Sequence, residues 1–483
     1  MQRRHMATDI LVVGSGGAGL RAAVAAAEAN CRVLLLSKIG PDRPNSTAVI
    51  AGWGAYVPPK DAESYFRMVV EEGNYLSDQD LAWQYATEVV DRMPELRRFG
   101  VEMHLAECTL ERPGAASNMW YFPGPRGRLG DAIRKPLRQA ALDKGATVLD
   151  DTLVTRLLTS NGSINGATAL DLRTGDLLAV SAKAVVLTTG GASGLYARQN
   201  NPAGTTGDGF GLAYAAGAEL VDMEFDTFML SHQQLEALFA GRLTDEDALS
   251  TAGAHHSCGG VKVDLARRST LPGLYVAGEA AGGTFGSARL GGSAVGDIIV
   301  SGCLAGQSAA EAARDKPEPQ LDEDEVVIEQ ARLAAFLERD RLPARALERE
   351  VRRVMWENIG PVRREAGLES GLEELRALRA KAADMSAQDP RDLRHAVEVG
   401  FMLDVGEAIA VAALRRAESR GTHWRLDHPE PSNADWLCNL IVRKGADSAP
   451  DLTARPVALS RITHAGPCRI GSAWTGGYVG PAA

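Results

Sequence analysis

The chain has 483 residues, of which 45% are hydrophobic and 24% are charged, and its mean hydropathy is −0.13. This length and composition are typical of a globular protein with several domains. The 52 basic and 62 acidic residues give a formal net charge of −10. That charge argues against a nucleic-acid-binding protein, which usually carries a basic face. No apolar run approaches the roughly 20 residues that span a bilayer, and no signal peptide is evident, so we expect a cytoplasmic protein without a membrane span.

The six cysteines are spread along the chain and form no C-x-x-C pair; they are Cys31, Cys108, Cys258, Cys303, Cys438 and Cys468. Such spacing predicts neither a disulfide framework nor a segment that ligates an iron–sulfur cluster. We therefore assign no metal ligands to this sequence.

The N-terminal segment predicts a strand, a helix and a second strand. Asp9–Val13 and Arg32–Leu36 are short apolar runs, and the Ala-rich segment Leu20–Asn30 between them is typical of a helix. Strand–helix–strand units of this kind build parallel sheets.

The turn after the first strand fits G-x-G-x-x-G and consists of Gly14, Ser15, Gly16, Gly17, Ala18 and Gly19. The first glycine permits a tight turn, the second lets backbone amides approach a pyrophosphate, and the third lets the helix pack on the strand. The helix N-terminus then offers partial positive charge to the phosphates. This pattern favours a bound dinucleotide, with a purely structural glycine turn as the alternative. The second strand ends in Ser37 and Lys38 instead of the usual acidic residue, and a serine hydroxyl can still bind ribose.

Further along the chain, helical and strand patterns alternate. We expect helices over Asp61–Phe99 and Gly130–Lys144, and strands over Thr147–Ser181 with hairpin turns at Asn161–Gly162 and Thr174–Gly175. Another apolar strand ends in Gly190 and Gly191. Pro272–Gly282 predicts a strand and glycine turn that carries one carboxylate, Glu279.

The composition changes after residue 315. Lys316–Glu325 is acidic and rich in proline, which indicates a linker, and Val326–Leu414 has helical periodicity. Trp436–Ala483 shows little periodicity and is interpreted as a tail.

Five segments together resemble the flavoprotein subunits of succinate dehydrogenase and fumarate reductase and L-aspartate oxidase. They are residues 9–23, 185–196, 201–225, 256–264 and 273–292, and residues 397–425 resemble the helical C-terminal region of the same family. The resemblance implies FAD as the dinucleotide and hydride transfer through its flavin. It also implies an α/β fold with a Rossmann-like FAD-binding domain, a capping insertion and a C-terminal helical domain.

On this basis we divide the chain into five parts. The FAD-binding domain covers residues 7–230 and 254–315, a vestigial capping insertion covers 231–253, the helical domain covers 326–435, and the tail covers 436–483.

The resemblance also implies catalytic residues. The family's active-site histidine lies in A-H-x-x-x-G-G, which matches His255, while the adjacent His256 is an alternative. The family's G-A-N-R-L-G arginine matches Arg289, whose guanidinium can grip a carboxylate or stabilise negative charge on the flavin. The alternative is that Arg289 is an ordinary ion-paired arginine.

The predicted cofactor-binding set combines the glycine turn with matches elsewhere. Its members are Gly14, Gly16, Gly17, Ala18, Gly19, Ser37, Lys38, Ser46, Thr47, Gly52, Gly190, Gly191, Asp208, Glu279, Arg289 and Ser293.

The sequence departs from the family at three places. Ser46 stands where the covalent members carry the histidine that tethers FAD, so we expect non-covalent FAD. Met229 stands where the family has a substrate-binding histidine, and a thioether cannot supply a charged donor. The interval between Leu230 and Ala254 holds only residues 231–253, which is too short for a globular cap. The family element that carries a proton-shuttling arginine is absent.

These features favour the flavin subunit of an oxidoreductase that exchanges electrons between a small organic substrate and a separate ferredoxin-like iron–sulfur partner. A carboxylate-bearing molecule is the candidate substrate. The missing cap also favours an oligomer or hetero-complex that covers the flavin. A self-sufficient oxidase that uses oxygen and a non-catalytic flavin-binding scaffold are the alternatives.

Overall fold

A computed structural model of the chain describes residues 1–50, 53–57, 62–109, 116–125, 127–468 and 470. The strands of this part are β1 (Arg3–Val13), β2 (Val33–Leu36), β3 (Trp53–Val57), β4 (His104–Thr109), β5 (Ala116–Tyr121), β6 (Thr147–Leu149), β7 (Thr152–Ser160), β8 (Ser163–Asp171), β9 (Leu177–Leu187), β10 (Leu220–Val221), β11 (Asp226–Phe228), β12 (Ala254–Ser257), β13 (Gly260–Lys262), β14 (Leu274–Val276), β15 (Ala281–Gly282), β16 (Leu342–Pro343), β17 (Met385–Ser386), β18 (Cys438–Lys444) and β19 (Pro450–Pro456). The α-helices are α1 (Gly17–Glu28), α2 (Ala62–Glu72), α3 (Gln79–Glu95), α4 (Asp131–Asp143), α5 (Asp208–Ala216), α6 (His232–Phe239), α7 (Asp245–Thr251), α8 (Ser293–Ala313), α9 (Glu323–Glu338), α10 (Ala344–Asn358), α11 (Glu365–Ala382), α12 (Pro390–Arg415) and α13 (Asn433–Trp436).

The largest sheet has seven strands and confirms the predicted βαβ unit. Its order is β6-β2-β1-β9-β8-β7, with β14 also paired to β9, and the pairs of β1 with β2 and with β9 are parallel. The apolar run at the end of β1 is buried on both faces, since Leu11 and Val13 belong to one core cluster and Ile10 and Val12 to another. Glycines let α8 pack closely on α1, since a Cβ at Gly302 would lie 2.5 Å from the carbonyl oxygen of Ala18.

The α/β fold class is confirmed, with helices α9 to α12 following the FAD-binding part. The hairpin turns at Asn161–Gly162 and Thr174–Gly175 are confirmed between β7, β8 and β9.

The structure adds detail to two expectations about secondary structure. The segment expected to be helical, 61–99, contains two α-helices, because the chain turns between α2 and α3, where Asn74 and Tyr75 have φ of 50° and 63° and Asp78 caps the second helix. The tail is not irregular throughout, because β18 and β19 form a hairpin whose first strand pairs with β10. The carboxylate of Asp222 receives hydrogen bonds from Asn439 and Leu440 and so fixes this hairpin to the FAD-binding part.

Residues 231–253 contain the short helices α6 and α7. Each helix begins with a capping box, at Ser231 and at Thr244. An ion pair between Asp245 and Arg364 attaches α7 to the helical region. In the described part of the chain, no helix combines the length and apolar composition needed to cross a membrane.

Candidate functional site: a nucleotide cleft

A long cleft opens at the carboxyl ends of β1, β2 and β9, which is where doubly wound α/β sheets bind nucleotides. Its walls enclose about 1230 Å³ of space, counting the part open to solvent. The predicted residues that line it are Gly14, Gly16, Gly17, Ala18, Ser37, Lys38, Ser46, Thr47, Gly190, Asp208, Glu279 and His256. The cleft therefore brings together residues that are more than 200 positions apart in sequence.

The glycine turn packs so closely against neighbouring backbone that other residues would not fit. A Cβ at Gly14 would lie 2.5 Å from the carbonyl oxygen of Thr188, and one at Gly19 would lie 1.9 Å from that of Gly14. Helix α1 has no side-chain cap at Gly16 and no acidic residue in its first turn. The amide of Gly17 donates to the hydroxyl of Thr47, and the other amides of this helix N-terminus in a glycine turn are donors of the kind that a pyrophosphate requires, so these residues fit a dinucleotide.

Ser37 and Lys38 occupy the end of β2 in different ways. The hydroxyl of Ser37 lies 2.7 Å from that of Ser15 and donates to the carbonyl of Ile39. The ammonium of Lys38 lies 2.6 Å from Asp208 and 2.8 Å from Glu398 on α12. Lys38 and its partners thus connect the nucleotide cleft to the helical region.

The other predicted cofactor residues occupy varied positions. Ser46 lines the cleft, and the hydroxyl of Thr47 accepts a hydrogen bond from the amide of Gly17. Gly191 lies against Glu279, because a Cβ there would be 2.2 Å from the carboxylate. Ser293 is buried behind the cleft wall. Its hydroxyl donates to the carbonyl of Leu290. Gly52 lies outside the described residues.

His256 and Glu279 form a pair at one end of the cleft. His256 Nδ1 lies 3.3 Å from Glu279 Oε1, and the same carboxylate oxygen accepts the amide of Ser257. Burial lowers the pKa of His256, which favours a neutral imidazole. A neutral ring with Nδ1–H toward Glu279 keeps Nε2 as a hydrogen-bond acceptor.

His255 lies on the opposite face of β12 from His256, since successive residues of a strand point to opposite sides. Its Nδ1 lies 2.9 Å from the side-chain oxygen of Asn200. Burial, followed by the positive charge of Arg289, lowers the pKa of His255 to about 4. His255 is therefore neutral at physiological pH.

Arg289 lies near both histidines, as its effect on their pKa values shows. Its Nη1 donates to the carbonyl of Leu290, and its buried Nε has no hydrogen-bond partner among the described residues. No described carboxylate forms an ion pair with it, so the guanidinium is available to an anion.

The sequence reasoning missed one buried acidic residue beside this end of the cleft. Asp226 accepts hydrogen bonds from the hydroxyls of Tyr196 and Ser257, at 2.7 and 2.8 Å. Burial raises the pKa of its carboxyl group. The signal available in the sequence was an aspartate within the largely apolar run Phe225–Leu230, where a buried carboxylate requires partners.

The fold and cleft define a dinucleotide-binding oxidoreductase of the α/β class. The family described as FAD binding domain matches residues 9–249 and 232–295, and that described as fumarate reductase flavoprotein C-terminal region matches residues 348–469. The chain belongs to the fumarate reductase and succinate dehydrogenase flavoprotein family, and it is an FAD-dependent oxidoreductase. The two matches to the first family share residues 232–249, at the short insertion.

Similar proteins align with nearly the whole chain. An uncharacterised FAD-dependent oxidoreductase of Methanocaldococcus jannaschii is 28% identical over 527 aligned positions, which cover 91% of this chain and 96% of the relative. The fumarate reductase flavoprotein subunit of Haemophilus influenzae is 25% identical over 573 positions, covering 94% of this chain and 94% of its own length. A mutant of Escherichia coli quinol fumarate reductase FrdA shares the fold, with a TM-score of 0.84, 24% identity and coverage of 96% and 98%.

Proposed function

We propose that this chain is the flavin subunit of an oxidoreductase, and that it moves electrons between a carboxylate-bearing organic substrate and a separate iron–sulfur protein. The observation that carries the proposal is the unpaired guanidinium of Arg289 beside His255 and His256. His256 lines the cleft whose glycine turn suits a dinucleotide phosphate, and the positive charge of Arg289 acts on both histidines. The short insertion leaves the histidine end of the cleft without a globular cap from this chain, which supports coverage by a partner or a second copy.

FAD would be held by the chain without a covalent bond. Gly14, Gly16 and the N-terminus of α1 would hold the pyrophosphate, Ser37 the ribose, and Glu279 the ribityl hydroxyls. Bound there, FAD supplies hydride and electron transfer through its flavin. Ser46 supports a non-covalent site because a serine hydroxyl stands where the covalent relatives carry a histidine.

At the substrate end, this chain's residues would bind and orient. Arg289 would take a carboxylate of the substrate in a charge-assisted hydrogen bond. His256 would accept a proton at Nε2 while Glu279 holds Nδ1. His255 would contact the substrate as a neutral ring and would form no ion pair with the substrate's carboxylate. The scattered cysteines lack the spacing of cluster ligands, which supports a separate electron carrier.

The experiment that tests this function is anaerobic reoxidation of the reduced, FAD-loaded chain. Dithionite is used to bleach the flavin, excess reductant is removed, and unsaturated carboxylic acids are then added one at a time. We expect at least one acid to restore the yellow colour, with Arg289→Ala strongly slowed. A flavin that no acid reoxidises, and that no organic acid reduces in the opposite direction, would instead support a flavin-binding scaffold.

Two further measurements separate the details of the proposal. Acid precipitation should release all flavin into the supernatant, whereas colour in the pellet would contradict the non-covalent site. Rapid oxygen consumption by the pure chain with its substrate would favour a self-sufficient oxidase. Co-purification of an iron-containing protein from the native host would favour the two-protein complex.

A further inference from the structure

An unpaired acidic side chain lies in the wall of the nucleotide cleft, on α8. Asp297 lines the cleft, and only 6% of its surface is exposed. Among the described residues, none forms a hydrogen bond or an ion pair with its carboxylate, and the charges that act on it do so through space. A buried polar group without a partner is costly, because burial removes the water that would otherwise solvate it. The proposed function gives this carboxyl group no role.

Asp297 lies between the two ends of the cleft. The next residue, Ile298, packs on the glycine turn, since a Cβ at Gly17 would lie 2.5 Å from its side chain. From the other end, the charges of Arg289 and Glu279 act on the carboxyl group of Asp297. A dinucleotide that runs from the glycine turn toward Arg289 would therefore pass beside Asp297.

The charges around Asp297 do not keep its carboxyl group ionised at low pH. Arg267 is fully buried, and its Nε and Nη1 have no hydrogen-bond partner among the described residues. Its positive charge and that of Arg289 favour the carboxylate, whereas the negative charge of Glu279 opposes it. The hydroxyl of Tyr85 donates to a backbone carbonyl of α8 instead. Burial outweighs both cations and raises the pKa of Asp297 to about 6.

The other titratable groups near this part of the cleft keep one charge state between about pH 6.5 and 8.5. Burial lowers the pKa of His255 to about 4 and also lowers the pKa of His256, so both rings are neutral. Although burial raises it, the charge and hydrogen bond of His256 lower the pKa of Glu279, which stays ionised. Burial raises the pKa of Tyr85 well above its usual value. A titration in this range therefore reports on Asp297.

We propose that Asp297 is a cofactor-binding residue, which holds FAD as a neutral carboxylic acid and donates its O–H to an acceptor atom of the dinucleotide. The phosphates of FAD are anionic, and an ionised carboxylate beside them would repel them. A protonated carboxyl group has a donor, whereas a carboxylate only accepts. One proton from the solvent therefore joins a carboxylate oxygen of Asp297 as FAD binds, and it returns to the solvent when FAD leaves; no electrons move. The inference rests on the proposed FAD site and adds a residue to it.

The test measures FAD binding to the full chain after removal of its flavin, so it needs no turnover. Flavin fluorescence is titrated between pH 6 and 8.5 at constant salt. Calorimetry in two buffers of different ionisation enthalpy counts the protons taken up. We expect the affinity to fall about ten-fold per pH unit above about pH 6, because only the protonated form of Asp297 binds FAD well. We also expect the uptake to approach one proton per FAD.

Three variants isolate the carboxyl group. Asp297→Asn keeps a donor and cannot ionise, so its affinity should not depend on pH and should exceed that of the unmodified chain near pH 8. Asp297→Ala should be equally independent of pH but should bind about ten-fold more weakly than Asp297→Asn, as loss of one hydrogen bond provides. Glu311→Gln is the matched control, because Glu311 is exposed on the same helix about 21 Å further along, and it should keep the pH dependence.

Far-ultraviolet circular dichroism would show whether each variant folds. The inference is overturned if the unmodified chain binds FAD without taking up a proton, or if Asp297→Asn keeps the pH dependence. Should Asp297→Asn fail to fold, the infrared spectrum of the unmodified, FAD-loaded chain at pH 8 decides. The carbonyl band of a protonated carboxyl group supports the inference, and its absence overturns it. FAD binding without proton uptake leaves the proposed function standing, whereas a chain that binds no FAD at any pH contradicts both.

Discussion

The nucleotide end of the cleft is formed by backbone and by side chains that already have hydrogen-bond or ion-pair partners. The substrate end instead has the guanidinium of Arg289, which has no ion-pair partner among the described residues. At the first end, Gly14 and Gly19 leave no space for a Cβ, and Lys38 is held by two carboxylates. At the second end, Arg289 has a buried nitrogen without a partner among the described residues. The contrast indicates that the side chains at the nucleotide end are satisfied within the protein, whereas the guanidinium of Arg289 awaits a ligand that supplies negative charge.

The largest effect should come from closing the glycine turn. In Gly19→Val the new side chain begins 1.9 Å from the carbonyl oxygen of Gly14, which backbone cannot accommodate without moving. We expect flavin binding to be lost completely. The flavin-to-protein ratio of the purified variant measures this, and Gly400→Val, in α12 with no atom within 4 Å of the new Cβ, is the control. Retained flavin in Gly19→Val would show that the turn does not hold the cofactor.

At the other end, Arg289→Ala should lower turnover by roughly 100- to 1000-fold, as removal of a single charged donor from a reacting centre does. Flavin content should stay near normal. Steady-state rates and flavin stoichiometry on the same preparation check both halves of this expectation. Parallel loss of flavin and activity would make Arg289 a cofactor ligand and weaken the contrast between the two ends.

A change at Lys38 tests how the nucleotide end depends on the helical region. Lys38→Met leaves the buried carboxylate of Asp208 without its cation, while Glu398 keeps its ion pair with Arg394, so we expect unfolding to become easier by about 3 kcal/mol. Urea denaturation with and without FAD provides the measurement. The double change Lys38→Met with Asp208→Asn should recover part of the loss, and no recovery would exclude charge as the cause.

The pH dependence gives a smaller effect at the substrate end. Because burial and Arg289 lower the pKa of His255 to about 4, the imidazole stays neutral from about pH 8 down to about pH 5. The rate of flavin reoxidation should therefore be flat over that range and fall as pH approaches 4, where His255 becomes a cation. His255→Gln should abolish this fall, and an unchanged profile would exclude the histidine as its origin.

The sequence predicted the strand, glycine turn and helix at residues 9–28 because their signal is local. Gly14–Gly19, the strand before it and α1 after it are contiguous, and backbone geometry alone requires those glycines. The partners of Lys38 could not be foreseen, since Glu398 lies 360 positions away on α12. The hydrogen bonds of Asp226 depend on the pairing of β11 with β12. His255 and His256 could not be assigned to the two faces of β12 until its register with β11 was known.

In the proposed function, one cleft holds FAD with its reactive ring beside His256 and Arg289. The most direct measurement is a crystal structure of the FAD-loaded chain with a bound carboxylate. We predict density for the pyrophosphate at Gly14–Gly19, for the ring beside His256, and for the carboxylate on Arg289. A ring bound elsewhere, or Arg289 turned away from both ring and carboxylate, would contradict the account.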